Sequence, residues 1–437
     1  MNVVAAIEQQ AIIINGGDSD YAPLLDLVGD KRFVLLGEAS HGTHEFYVER
    51  AKITQKLIIE KGFNAIAIEG DWPDAYRVNQ YVTQQGRDQN ANEALSGFTR
   101  FPGWMWRNSV IVEFVDWLHN HNQNIHSPNS EISFYGLDLY SLFTSIDEVI
   151  RYLRKYDSAL AEQAKERYAC FDRFGRDSQR YGYAVGLGGE SPSCEDEVVN
   201  QFLELNRLKS DTLTEYLFSA QQNANLVKNA EHYYRSMFSS AVSSWNLRDK
   251  HMMQTLVEID RYISNKNSKP AKVIVWAHNS HLGDARATEM AVRGELNLGQ
   301  LVRQHYADEV FLLGFSTYHG TVTASSDWGD PAEAKSVLPA LKGSYEALMH
   351  QSALSKFILP LKKNFELIAP LSEERLQRAI GVIYRPETER QSHYLYANLP
   401  RQFDALIHID KTSAVRPLDF SQYWQSGEAP ETFPVGI

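Results

Sequence analysis

Arg32-Phe-Val-Leu-Leu-Gly37 and, after an intervening amphipathic stretch, Phe63-Asn-Ala-Ile-Ala-Ile68 are the runs on which the fold class turns. Each is apolar and too short for a helix, the pattern of a strand buried on both faces. Between them Thr43 is a candidate N-cap, and Phe46, Ile53, Leu57 and Ile58 share one side of a helix that Gly62 ends. Strand, helix and strand make a β-α-β unit, which predicts a parallel pairing of the two strands with a right-handed crossover.

Working outward, a short helix is expected over 21–27 and a longer one over 104–122. Further strands are expected at 132–136, 272–276, 310–314, 379–384 and 405–409. Strands alternating with helices predict an α/β fold, a mostly parallel sheet with helices on both faces. From 141 to 269 the strand signal vanishes. Helices are expected over 141–156, 158–174, 195–220, 222–237 and 248–263, with a Gly, Pro and Ser loop at 186–193. This stretch reads as a helical insertion that caps or extends a core made of 1–140 and 270–437. The Gly186-Leu-Gly-Gly189 segment lacks the strand-and-helix setting of a phosphate loop.

Apolar residues make up 43% of the 437 and charged ones 22%, which is globular composition. A net charge of -12 argues against nucleic acid or an anionic membrane as partner, because both select basic surfaces. The two cysteines, Cys170 and Cys194, could form one bridge, but free thiols in a reducing compartment are the expectation. Residues 1–14 lack a basic leader pattern, and no apolar run reaches the roughly 20 residues that cross a bilayer. A cytoplasmic location follows as the expectation.

In parallel α/β sheets, ligands bind beyond the carboxyl ends of the strands. The first strand is followed by Glu38, Ser40, His41 and His44, the second by Glu69 and Asp71, the third by Asp138. The 272–276 strand is followed by His278 and His281. A carboxylate beside a core is costly unless partnered. Glu38 and Glu69 among three such imidazoles therefore point to one shared site. Arg50 lies two helical turns beyond Thr43, so its guanidinium returns toward that end of the helix. Trp104 and Trp106 are candidates to line a site for an apolar ligand, and Tyr233, Tyr234 and Trp245 to face it from the insertion. His119, His121 and His126 sit among Asn and Gln and read as solvated.

Gly37-Glu-Ala-Ser-His-Gly-Thr-His-Glu-Phe46, with Arg50 nine residues after His41, resembles the signature of the erythromycin esterase family. Ile68-Glu-Gly-Asp-Trp-Pro73 and Trp276-Ala-His-Asn-Ser-His281 are similar to its second and third signatures. Gly136-Leu-Asp-Leu139, Arg248-Asp-Lys-His-Met252 and Leu298-Gly-Gln300 match further blocks, so the resemblance runs from about 25 to beyond 417. Arg100-Phe-Pro-Gly-Trp-Met-Trp-Arg107 is closer to the family's environmental branch than to its macrolide-resistance esterases. The resemblance implies a hydrolase of esters or lactones, macrolides included, on an α/β sheet with helical additions. It places a general base on His41, its companion acid on Glu38, and further site residues on Arg50, Glu69, His278 and His281.

Ester hydrolysis needs a deprotonated nucleophile, a stabilised oxyanion and a proton for the leaving group. His41 is expected to activate water, with Glu38 or Glu69 orienting its ring and His278, His281 or Arg50 facing the oxyanion. His44, Asp138, Trp104 and Trp106 are expected to contact a small-molecule ester or lactone, with no cofactor. A serine route through Ser40 is disfavoured, since Gly-Glu-Ala-Ser-His is not a Gly-x-Ser-x-Gly elbow. Two alternatives stay open: a metal-dependent hydrolase with His41, His278, His281 and Glu69 as ligands, and a non-catalytic protein that binds haem or another small ligand.

Overall fold

The computed structural model describes residues 3–125, 130–186, 191–208, 214–238, 240–362 and 368–419. Its strands are β1 (Ile12–Ile13), β2 (Phe33–Leu36), β3 (Ala65–Asp71), β4 (Ser133–Asp138), β5 (Val273–Trp276) and β6 (Val310–Ala324). They are followed by β7 (Glu333–Val337), β8 (Lys356–Pro360), β9 (Arg375–Arg378), β10 (Tyr394–Ala397) and β11 (Ala405–Thr412). The main sheet runs β1-β8-β11-β6-β2-β5-β3-β4, with β7 paired to β6. The six strands from β4 to β11 in this order are parallel, while β8, β1 and β7 join antiparallel.

The α/β class with a mostly parallel sheet holds, and the central strands show why. Phe33, Leu35, Ala65, Ala67, Val273 and Val275 face one buried cluster; Val34, Leu36, Ile66, Ile68, Ile274 and Trp276 face the other. Both faces are covered, so alternate residues are all apolar and the strands read as continuous apolar runs. The helix after β2, His44–Lys61, ends at Gly62, whose φ of 70° is the left-handed cap expected there. Thr43 holds the N-cap position, but its hydroxyl pairs with Ser40 Oγ instead of capping the helix.

Several expectations are corrected. β2 and β3 are parallel but do not touch, because β5 lies between them. The segment 379–384 is not a strand. It runs across the loop after β2, forming single bridges from Ile380 to Ser40 and from Ile383 to Ser325, and Ile380 and Tyr384 are buried against Val322 and Ala324 of β6 and Val337 of β7. The helix expected from 104 begins at Ser109, capped by the Asn108 side chain, because Trp104 lies in a 3-10 turn, Gly103–Met105.

Between β4 and β5 the described residues form only helices, among them Leu142–Tyr156, Glu195–Arg207, Glu215–Met237 and Ala241–Asn267. The break expected near 221 is absent, since Glu215–Met237 is one helix. Of the 186–193 loop, residues 187–190 lie outside the described residues, as does His126. Cys170 and Cys194 are paired as a disulfide with Cα atoms 5.8 Å apart, which corrects the expectation of free thiols. Folding brings the turn after Ser158–Tyr168 against the start of Glu195–Arg207, a proximity that a separation of 24 residues does not disclose. The cysteines thus carry no argument for a reducing compartment. Among the described residues no helix is long and apolar enough to cross a membrane.

Candidate active site

Because β5 separates β2 from β3, His278 and His281 come to lie between the residues that follow β2 and those that end β3. The loop after β2 is pinned from every side. Glu38 O accepts the N–H of Asn279 at 2.8 Å, Ala39 O accepts that of Ile380 at 2.8 Å, and Gly42 O accepts those of Thr323 and Val415 at 3.0 and 2.8 Å. Gly42 is required by that crossing: a Cβ on it would stand 1.8 Å from the Thr323 carbonyl oxygen.

Glu38, held in this loop, divides its oxygens between two partners. Oε1 lies 2.9 Å from His41 Nδ1 and Oε2 lies 2.6 Å from Arg50 Nη2. Arg50 is fully buried, its guanidinium over the rings of Tyr47 and Trp276 at 4.6 and 5.0 Å. A buried carboxylate is tolerated because a buried guanidinium stands against it. Arg50 therefore serves Glu38 and does not line the cleft. With Nδ1 taken by Glu38, the His41 nitrogen left for a ligand is Nε2, and His41 lines the cleft.

A second network lies beside this one. Arg248, from the Ala241–Asn267 helix, grips Asp138 through Nε and Nη2 at 3.0 and 2.7 Å and reaches Glu69 Oε1 at 2.7 Å. Glu69 Oε2 accepts the backbone N–H of His278 at 2.8 Å. Burial alone would raise the Glu69 carboxyl, but His281, Arg248 and His41 hold it well below the usual carboxylate range. His281 sets Nδ1 against Asp249 at 3.0 Å and Nε2 against Arg248 at 3.0 Å, and stacks on Trp245 at 4.5 Å. Burial pushes its pKa down, yet Asp249 and Glu69 leave it above the ordinary value. His278 is pushed well below, by burial and then by His41. Its Nδ1 accepts the N–H of Ser280 at 3.2 Å, so it is neutral with its proton on Nε2, and its ring lies 4.8 Å from that of His41.

The cleft itself has a volume of about 80 Å³. Polar groups of His41, Glu69, Asp71, Asp138, Arg100 and Arg248 meet an apolar side that includes Phe98, Phe101, Trp106 and Trp328. Of the residues expected at the site, His41, Glu69, Asp138 and Trp106 line it, while Glu38, Arg50, His278 and His281 stand behind. His44 opens its helix half-buried and Trp104 is buried, and neither lines the cleft. Ser40 is buried with its hydroxyl against Thr43. The set His41, His278, His281 and Glu69 does not converge, because Arg248 takes the position that a cation would need between Glu69 and His281. Among the described residues no three His, Cys, Asp or Glu side chains group as metal ligands.

Sequence reasoning gave no role to Arg248, Asp249, Arg100 or Tyr140. Arg248-Asp-Lys-His-Met252 stood out only as a family block, and the signal that could have singled it out is an Arg-Asp pair on an otherwise apolar helix face. Tyr233 packs edge-on to Tyr140 at 5.4 Å, one layer behind the cleft. His119 and His121 are half-buried and stack on Tyr81 and Trp117, which corrects the solvated reading.

The sequence model of the erythromycin esterase family matches residues 58–412. Erythromycin esterase type II of Escherichia coli is 21% identical over 416 residues, covering 90% of this chain and 93% of the relative. The putative hydrolase YbfO of Bacillus subtilis (strain 168) is 21% identical over 365 residues, covering 77% and 75%. Among solved structures, a Bacillus cereus protein superposes with a TM-score of 0.79 at 20% identity, covering 95% of this chain and 98% of its own. The erythromycin esterase EreC, a mutant in its open conformation, gives 0.62 at 16% identity, covering 91% and 95%. At these identities the structural likeness speaks for the fold alone, while the family and its hydrolase-named relatives support a hydrolase. With the family's sequence model spanning most of its length, the chain belongs to the erythromycin esterase family.

Proposed function

We propose that this protein hydrolyses a carboxylic ester or lactone with a water molecule activated by His41. The observation that carries the reading is the 2.9 Å contact between Glu38 and His41 Nδ1 on a ring that lines the cleft. Glu38 fixes the tautomer with the proton on Nδ1, as the carboxylate of a catalytic triad does, leaving Nε2 to take a proton from water. Arg50 holds Glu38 in place from behind. The positive charge offered to the developing oxyanion is that of Arg248, which lines the cleft and is already oriented by Asp138 and Glu69. Arg50, buried behind Glu38, and His281, whose ring nitrogens face Asp249 and Arg248, do not line the cleft and are positioning residues in this scheme.

A volume of about 80 Å³ holds the acyl centre and a few neighbouring atoms, so the rest of a large substrate would extend outward. The aromatic side suits an apolar acyl or alkyl portion. The test is a panel of simple esters, small lactones and a macrolide, the last because the Escherichia coli relative is named for erythromycin. Wild-type turnover of at least one class is expected, with a loss of about 1,000-fold in His41→Ala and His41→Gln at unchanged thermal stability. Retained activity in both variants would remove His41 from this role.

A further inference from the structure

The carboxyls lining the cleft are held in two different ways. Glu69 and Asp138 are matched by the Arg248 guanidinium and, for Glu69, by the His278 N–H. Asp71 is held differently, facing Arg100 and the backbone N–H groups of Tyr140 and Ser141. It stands where β3 shifts register against β4, a shift that Gly136 permits, because a Cβ there would lie 2.4 Å from the Gly70 carbonyl oxygen. It is the N-cap of the Trp72–Val82 helix, yet its side chain does not cap that helix. Oδ1 instead accepts the N–H of Tyr140 at 3.0 Å, and the carboxyl lines the same cleft as His41.

The groups facing Asp71 come from three elements: Asp138 from β4, Asp74 from its own helix and Arg100 from the loop beyond. Burial, with a smaller contribution from Asp138, outweighs Arg100 and the backbone N–H groups of Tyr140 and Ser141 and pushes the Asp71 carboxyl up to about 6. Asp74 is pushed well above the ordinary value by burial and by Asp71. One cleft thus holds a carboxylate kept ionised, Glu69, and a carboxyl, Asp71, that keeps its proton well above the usual carboxylate range. Such a separation marks an acid and base assignment.

Resting on the reading of this cleft as an ester hydrolase site, we propose that Asp71 is the proton donor to the departing alkoxide. In the balanced step, His41 Nε2 takes one proton from water and the water oxygen bonds to the acyl carbon. The bond from that carbon to the leaving oxygen then breaks, its electron pair goes to that oxygen, and the Asp71 proton follows. Carboxylic acid and alcohol depart, and transfer of the His41 proton to Asp71 restores the starting state. Loss of such an acid matters most where the leaving group is a poor one.

The experiment is kcat/KM of wild type, Asp71→Asn and Asp71→Glu over acyl esters whose leaving groups run from p-nitrophenol through phenol to simple alcohols. In Asp71→Asn the loss is expected to grow from a few-fold on the nitrophenyl ester to about 100-fold or more on the alkyl esters, with Asp71→Glu recovering part of it. Thermal unfolding of each variant separates misfolding from chemistry. A loss of equal size across the series in a folded variant overturns the proton-donor role and leaves the hydrolase reading standing. Wild-type inactivity on every ester and lactone overturns the hydrolase reading and this role together.

Discussion

At the residue scale the site is governed by which carboxyls have a cation against them. Glu38 has Arg50, Asp138 and Glu69 share Arg248, and at Asp71 burial and the charge of Asp138 outweigh Arg100. This difference has a signature in stability. The folded-state pKa of Asp71, about 6, lies above the ordinary 3.8, so between those values the native protein binds more protons than the unfolded chain. Stability contributed through Asp71 is present below pH 4 and is lost as pH rises through 6, by about 3 kcal/mol in all. Asp71→Asn cannot ionise. The stability difference between Asp71→Asn and wild type, measured by denaturant unfolding at intervals from pH 4 to 8, is expected to rise in favour of the variant up to about pH 7. A flat difference would mean that Asp71 titrates like a solvated carboxyl.

At the scale of the element, the loop after β2 does the positioning. It carries Glu38 and His41, and it is crossed by the 379–384 segment and by the C-terminal end of β6. Gly42 is the point of closest approach, and its neighbour there is backbone, which cannot rotate away. Gly42→Ala is expected to cost about 3 kcal/mol and to lower kcat steeply, since the loop must shift His41 to admit one methyl group. Gly62→Ala is the contrasting case. Gly62 has a φ of 70° with open space around its Cβ position, so about 1 kcal/mol of backbone strain and no loss of activity are expected. Thermal melts and initial rates of the two variants compare a steric requirement with a conformational one. The segment 379–384 reads as a strand because Ile380 and Tyr384 are buried, packed on Val322 and Ala324 of β6 and Val337 of β7, although it joins its neighbours only by single bridges.

At the scale of the whole molecule, the helices between β4 and β5 supply part of the site. Arg248 and Asp249 enter it from the Ala241–Asn267 helix and Trp245 stacks on His281, so the sheet edge alone is incomplete. Arg248→Met takes from buried Asp138 and Glu69 the guanidinium they share, which is expected to cost about 4 kcal/mol and to abolish turnover. Adding Asp138→Asn to that variant is expected to restore part of the stability and none of the activity. Additivity of the two changes in unfolding free energy would show that the pair is not coupled.

What the amino-acid order determined by itself was local: short apolar runs marked β2, β3, β4 and β5, and the polar residues just beyond their ends marked Glu38, His41, Glu69, Asp138, His278 and His281. That information is legible because strand burial and strand-end exposure are written in neighbouring residues. Tertiary structure alone decided that β5 lies between β2 and β3, that Arg248 takes the space between Glu69 and His281, and that Cys170 meets Cys194. It also decided that Arg50 supports Glu38 from behind while Asp71 stands in the cleft. Strand order and the pairing of distant charges depend on which surfaces bury each other across hundreds of residues, and no periodicity within one segment records that choice.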